Sequence, residues 1–295
     1  MTDSFGIPLP ALMGQLVIGL VNGSFYALLS LGLAVIFGML HVINFSHGAF
    51  YMLGAMLAWV GLTWLGIGYW FALLLSPLIV GACAMLFERT LLRRLYKLDH
   101  LYGLLLTFGL ALTIEGLSIN AFGSSGQPYS APDILQGGVD LGFMYLPIYR
   151  AWVVVCSLML CVATWFLIER TRLGAYLRAG TENPKLLQAF GVNVPAMVTA
   201  TYAGGVALAA LAGVLAAPLT QVSPLMGSNL LIVVFAVVVI GGMGSVFGSV
   251  VTGLALGLLE GIAKLIYPEF ANTVVFLIMV VVLLTRPAGL FGRQS

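Results

Sequence analysis

Two stretches of this chain contain no Asp, Glu, Lys or Arg at all: one between Asp3 and Glu88, the other between Lys185 and Glu260. At about 1.5 Å of rise per residue the first would make roughly 125 Å of continuous helix, whereas the hydrocarbon core of a bilayer is about 30 Å thick. Each run must therefore fold back into about three crossings. The core of a water-soluble domain explains one such segment, not two of this length. Composition agrees: charged residues are 7% of the 295 and hydrophobic residues 61%, where a soluble domain carries about 25% charged residues. The first apolar stretch, Ala11 to Leu40, follows no basic segment and is too long for a cleaved secretory signal. A net charge of +2 gives no reason to expect nucleic acid as a partner.

In lipid the backbone must satisfy itself within each segment, so these runs are helices. Crossings are expected near 11–40, 48–66, 68–87, 101–122, 150–168, 196–218, 228–247, 248–266 and 271–287. The expectation is an all-α, polytopic bundle of about nine crossings, within a range of about eight to ten, as a single domain over 1–295. Arg89, Arg93, Arg94 and Lys97 follow the third crossing. Arg170, Arg172, Arg178 and Lys185 follow the fifth, and Arg286 and Arg293 the last. Of the 12 basic residues only Arg150 and Lys264 lie elsewhere. An alternating path puts these three segments on one side, and the positive-inside rule makes that side the cytoplasm. The opposite loops carry Asp3, Asp133, Asp140 and Glu269. The N-terminus is thus expected outside and the C-terminus inside. Residues 123–149, rich in Gly, Pro and Ser, form an outer, periplasmic loop. Residues 169–194 form an inner loop whose helical runs are interrupted by Gly180 and Pro184.

Several chemistries lack their residues. Lys97, Lys185 and Lys264 are each followed by Leu, so no lysine has the hydroxyl neighbour that a phosphate-binding loop needs for magnesium. No nucleophile elbow or zinc-protease motif occurs, and His41 and His47 match no zinc spacing. Cys83, Cys156 and Cys161 sit singly inside apolar runs. No enzyme activity, metal or cofactor is expected on the chain itself. Ion-coupled carriers need ionisable groups in the membrane. Glu115 and Glu260 are the acidic candidates. Glu260 has Lys264 one turn on. Glu115 shares a face with Thr107, Ala111 and Ser118, and is expected to be a hydrogen-bonded structural residue.

Small residues mark close helix contacts: Gly253, Gly257 and Gly261 form one stripe, and Gly205, Ala209, Ala212 and Ala216 another. Two Gly-rich breaks stand out, Asn44-Phe45-Ser46-His47-Gly48 and Gly241 through Gly248. Paired breaks in the two halves of a carrier point to a transport site, where exposed helix ends meet a polar or zwitterionic solute. Two tight cytoplasmic turns would give the same pattern.

Asn22-Gly23-Ser24, the segment VINFSHGAFYMLGA at 42–55, TRLGAYLRAGTENPKLLQAFGVNV at 171–194, VSPLMG at 222–227, GGMGSVFGSVVTG at 241–253 and the terminal RPAGLFG at 286–292 together resemble the branched-chain amino acid permeases of ATP-binding-cassette importers, of the LivH type. The similarity runs from about residue 11 to the end. It implies a permease subunit of a bacterial inner membrane, forming the path for leucine, isoleucine or valine. The same family includes permeases for urea, short amides and aromatic or dicarboxylic acids. A stand-alone facilitator or channel is the reading from another class. The partners implied are a second, similar permease chain, two cytoplasmic ATPase subunits that hold the ATP and magnesium, and a periplasmic solute-binding protein. Path candidates are Asn22, Ser24, Asn44, Ser46, His47, Glu115, Gly242, Gly244 and Ser245.

The stretch 178–191 is similar to the loop through which such permeases dock on their ATPase. The general Glu-Ala-Ala pattern is missing, although Glu182 and Gly191 stand near the usual positions. Leu177, Leu187 and Phe190 give it an apolar centre, and Arg178, Glu182 and Lys185 a charged rim. Pro184 suits a first helical turn capped by Asn183 or Glu182, and Gly191 suits the stop. A short helix over about 184–190 is the expectation.

Overall fold

The computed structural model describes residues 8–40, 43–96 and 98–292. Asp3, His41, Lys97 and Arg293, which entered the topology and zinc arguments above, lie outside the described residues. The chain runs through α1 (Leu9–Leu40), α2 (His47–Leu65) and α3 (Tyr69–Phe87). A five-residue π turn, Glu88–Leu92, joins α3 to the short α4 (Arg93–Leu95) as one rod of 27 residues. Then follow α5 (His100–Phe122), α6 (Ile148–Arg170), α7 (Arg172–Glu182), α8 (Pro184–Ala189), α9 (Val194–Ala216), α10 (Met226–Gly241), α11 (Val246–Ile266) and α12 (Ala271–Thr285). The Gly- and Pro-rich loop after α5 holds a small antiparallel ribbon, β1 (Gly138–Asp140) on β2 (Tyr145–Pro147), with Val139 opposite Leu146.

Among the described residues, seven helices are long and apolar enough to cross a membrane. The runs expected at 228–247 and 271–287 form helices of only 16 and 15 residues. The chain is thus a polytopic helical membrane protein.

α1 is the central rod, packed against α11, α9, α6 and α10. The glycine stripes explain how. A Cβ on Gly19 would lie 2.6 Å from the Gly257 carbonyl oxygen, and one on Gly253 would lie 2.5 Å from the Ala27 nitrogen. Without a hydrophobic drive between helices in lipid, backbone-to-backbone packing of this kind holds the bundle. The two halves repeat one scheme. α1 lies on α11 as α9 lies on α3, α2 lies on α3 as α10 lies on α11, and the pairs α1–α9 and α2–α10 meet at the middle.

Candidate functional site

α2 does not start where α1 ends. His47, its first residue, places Nε2 3.0 Å from the Leu29 carbonyl oxygen, and a Cβ on Gly32 would lie 3.1 Å from the His47 ring. Gly32 is two turns short of the end of α1, so α2 begins roughly 12 Å back inside the bundle. The chain reaches that point along α5, where Thr107 Oγ1 donates to the Ile43 carbonyl at 3.2 Å and the Phe45 N–H donates to Thr107 Oγ1 at 3.2 Å.

A second segment does the same from the other end of α5. Val222 pairs with Gln127 through two backbone hydrogen bonds of 2.8 and 2.9 Å, just beyond the end of α5 at Phe122. From there residues 223–225 lead inward to α10. Thr107 and Phe122 are roughly 22 Å apart along α5, yet the two segments deliver helix starts that touch. A Cβ on Gly48 would lie 2.6 Å from the Gly227 carbonyl oxygen, and one on Gly227 would strike the Gly48 carbonyl. Two helices therefore meet by their N-terminal turns, backbone against backbone, at depth in the bundle.

Asp99, Asn183, Asn193 and Ser245 cap α5, α8, α9 and α11 with their side chains. α2 and α10 have no side-chain cap, as α3, α6, α7 and α12 have none, and their first N–H groups bond within the entering segments, His47 to the Asn44 carbonyl at 3.3 Å and Met226 to the Ser223 carbonyl at 3.2 Å. Ser46 holds the cap position of α2, but its hydroxyl donates to Asn44 Oδ1 at 2.5 Å instead. Asn44 Oδ1 also accepts from the Ser46 N–H at 3.2 Å. Asn44, Ser46 and His47 are fully buried braces of the break rather than wall residues. Phe45 between them turns outward, edge-on to Phe108 at 6.0 Å and stacked at 6.3 Å on Phe235.

Beside the meeting point lies a cleft of about 90 Å³. Its wall joins Phe45, Gly48 and Ala49 of the first break, Pro224, Gly227 and Ser228 of the second, and Phe108, Ala111 and Glu115 of α5. Glu115 differs from its sequence expectation. Among the described residues of this chain it has no hydrogen bond and no ion pair, so the expected hydrogen-bond partner is not found within the chain. Two other acids within the long apolar helices have partners from the chain. Glu260 accepts from Tyr26 Oη at 2.7 Å and from Lys264 Nζ at 2.5 Å. Glu88, fully buried, accepts from Tyr96 Oη at 2.9 Å and from Thr199 Oγ1 at 2.6 Å.

The remaining path candidates are elsewhere. Gly242 and Gly244, at φ +100° and +86°, form a tight turn seated on Gly38 near the end of α1 and on Gly289 and Gly292. The terminal loop pins that turn by donating from Leu290 to the Ile240 carbonyl at 2.8 Å. Ser245 caps α11 through the Gly248 N–H at 3.0 Å. Ser24 is buried and donates to the Val21 carbonyl at 2.7 Å, while Asn22 is half-buried on α1. The counterpart of the first break is thus 222–227 and not 241–248. The signal was present in Pro224 and Gly227, but neither adjoins a run of glycines.

In the inner loop, α8 starts at Pro184, and Asn183 Oδ1 accepts from the Leu186 N–H at 3.0 Å. Gly191, at φ +82°, follows its end. Leu187 is buried, facing Gly180 and contributing to the fold of the loop itself. Phe190 is 77% exposed and Leu186 55%. Leu177 faces a crevice beside Val35, Ile168 and Met197. The apolar centre expected from Leu177, Leu187 and Phe190 is therefore divided. Phe190 alone of the three is prominent, and Leu186 joins it. Arg178 pairs with Glu169 at 3.4 Å in an exposed contact, and Glu182 lies exposed at the end of α7.

No solved structure matches the chain. Among curated proteins, it is 30% identical to the high-affinity branched-chain amino acid transport system permease protein BraD of Pseudomonas aeruginosa, over 95% of this chain and 96% of that protein. Escherichia coli K12 holds two relatives of similar name. LivH is 27% identical over 95% of this chain and 96% of its own length, and LivM 26% identical over 90% and 67%. Residues 15–283 match the family described as the permease component of branched-chain amino acid transport systems. With nearly all of the helical bundle inside that match, the chain belongs to the branched-chain amino acid transport system permease family.

Proposed function

We propose that this chain is the permease subunit of an ATP-binding-cassette importer in a bacterial inner membrane, and that it forms the path for leucine, isoleucine and valine. The observation that carries the reading is the meeting of two uncapped helix N-termini at Gly48 and Gly227, beside an unpaired carboxylate, in a chain of this family. Helix starts exposed at membrane depth are where transporters bind polar solutes. The solute path runs along the α2–α5–α10 cleft, with Asn44, Ser46 and His47 holding its floor. Two relatives of one organism, LivH and LivM, both match the chain, which supports pairing with a second, similar permease. Two cytoplasmic ATPase subunits supply the energy and hold the ATP and magnesium, and a periplasmic binding protein delivers the solute. Phe190 and Leu186 dock on the ATPase.

Nine crossings fit this arrangement, since α10 and α12 complete the count beside the seven longer helices. The N-terminus is then outside. An impermeant thiol reagent applied to intact cells is expected to label a cysteine at Asp133 and to spare one at Arg178, in a background without the native cysteines. Labelling at position 178 from outside would overturn the orientation.

The activity is tested by reconstitution. Proteoliposomes containing the permease pair, the ATPase and the binding protein are expected to take up leucine only with internal ATP, and the permease pair alone to take up none. Uptake without ATPase would mark a facilitator. Uptake of urea, acetamide or succinate in place of leucine would reassign the solute.

A further inference from the structure

A groove of about 570 Å³ opens on the flank of the bundle, away from the helix breaks. That is the size of sites that hold a whole small molecule. α6 and α9 both pack on α1, and the groove runs between them with Val35 of α1 as its floor. On α6, the face buried at Cys156 and Ser157 recurs seven and eleven residues later at Thr164, Leu167 and Ile168. There it lines the groove instead of packing, and Leu167 is exposed. On α9, Ala196, Ala200 and Gly204 face the groove and are exposed, and a Cβ on Gly204 would meet nothing within 4 Å.

α7 closes the inner end. Its Gly174 lies against the Ile168 carbonyl of α6, and its Gly180 beside Met197 of α9. Between them Leu173, Tyr176 and Leu177, spaced as one helix face, line the groove. The length of the groove is informative. Its wall on α9 runs from Ala196 to Leu208, about 18 Å of helix, and one leaflet of the hydrocarbon core is about 15 Å deep. The groove thus spans one leaflet, opens sideways to lipid and stops at α7. A helix of another chain would have to run on past α7 into water, whereas an acyl chain ends at that level.

The charge at that level is positive. Arg172, the first residue of α7, is exposed and stands one turn before Tyr176 on the same face. It has no ion pair among the described residues, whereas Arg178 holds Glu169. Glu182 stands at the far end of α7. Arg170 lies over the Trp165 ring at 5.8 Å, and tryptophan is enriched at the headgroup level. We propose that the groove binds one acyl chain of an anionic phospholipid of the cytoplasmic leaflet, with the lipid phosphate paired to Arg172. Basic pockets between membrane helices on the cytoplasmic side recognise such headgroups. A chain seated there ties α7 to α6 and α9, and so steadies the loop that carries α8. The inference rests on the reading of residues 169–194 as cytoplasmic.

The test uses the assembled complex, purified and equilibrated with equal amounts of phosphatidylglycerol and phosphatidylcholine of identical chains. Lipid that stays bound through washing is counted by mass spectrometry. The parent is expected to retain phosphatidylglycerol about fivefold over phosphatidylcholine, the worth of one basic residue at an anionic surface. Arg172→Gln is expected to retain the two equally. Gly204→Leu fills the groove without striking the chain and replaces glycine by a better helix former, so it is expected to hold one lipid fewer per copy of this chain. Equal retention of the two lipids by the parent, an unchanged preference in Arg172→Gln, or a parent-level count in Gly204→Leu would each overturn the proposal. Loss of the second permease from Gly204→Leu, at an unchanged lipid count, would show that a helix of that chain fills the groove and would also overturn it. Labelling of a cysteine at position 178 from outside would instead fail the topology and the choice of leaflet, while the lipid counts, which do not depend on sidedness, still decide whether the groove binds lipid.

Discussion

Gly227→Val is expected to lower ATP-driven leucine uptake at least tenfold, about 1.4 kcal/mol, while Gly109→Ala on the neighbouring α5 leaves it unchanged. At Gly227 even a Cβ would collide with the Gly48 carbonyl, and that atom is backbone, not the movable end of a side chain. Valine adds two further carbons with one preferred rotamer in a helix. The two helix starts must then separate, and overpacking of this kind costs typically about 1–3 kcal/mol. The separation falls on the contact that places the first turns side by side. Gly109 has no atom within 4 Å of the position its Cβ would take, so Gly109→Ala controls for a change of helix propensity alone. Uptake by the reconstituted complex, normalised to copurified permease, checks both. Parent-like uptake in Gly227→Val would mean that the contact at Gly48 is not needed for transport.

Phe190→Asp is expected to abolish the stimulation of ATP hydrolysis by loaded binding protein and to release the ATPase during purification. Phe190 is 77% exposed next to Leu186 at 55%, and α8 beneath them is fixed by the Asn183 cap and by buried Leu187. A rigid, protruding aromatic is the type of residue that dominates interfaces, where its loss costs about 2 kcal/mol or more, roughly thirtyfold in affinity. A carboxylate in its place adds desolvation. Because Phe190 contributes little to the chain's own core, insertion and thermal stability should stay within about 0.5 kcal/mol of the parent. Leu187→Asp is the contrasting case, since it would unfold the loop itself. Complexes of Phe190→Asp that retain the ATPase and its stimulation would remove this loop from the coupling role.

Much of the architecture is legible in the sequence because lipid permits so little. The charge-free runs force helices, and the stripes Gly253-Gly257-Gly261 and Gly205-Ala209 identify the faces that touch. The inner helix is legible to its ends, since Asn183, Pro184 and Gly191 each carry a local backbone reason for their position. The site is legible only in part. The first break shows itself through Asn44, Ser46 and His47, polar residues in an apolar run. Its partner is hidden, because Val222 to Gly227 passes from a backbone bridge through a turn into α10 with a single proline and a single glycine, while 241–248, richer in glycine, only turns the chain. Local composition reports that a helix stops. It does not report how far into the bundle the next one starts, which depends on contacts such as His47 to Leu29 and Gly48 to Gly227. The state of Glu115 is hidden for the same reason, since satisfaction of a carboxyl is a property of its neighbours in space. Glu88 was visible only as the end of a charge-free run, and its partners Thr199 and Tyr96 come from α9 and from the end of its own rod.

The π turn at Glu88–Leu92 sets where Tyr96 can reach. Eight residues separate Glu88 from Tyr96, which in a plain α-helix is about 2.2 turns and leaves the two roughly 80° apart around the axis. A π turn takes up about one extra residue. The remaining seven are close to two full turns, and Tyr96 comes round onto the face of Glu88, where its hydroxyl is found at 2.9 Å. The rod thus behaves like a vernier. One surplus residue in the backbone rotates everything beyond it by about a quarter of a turn, and the basic residues Arg93 and Arg94 are carried along with the tyrosine. The buried acid and the basic end of the rod are consequently geared together. A change that converted the wide turn to an ordinary one would take the second donor from Glu88 and re-aim the cationic end in the same motion.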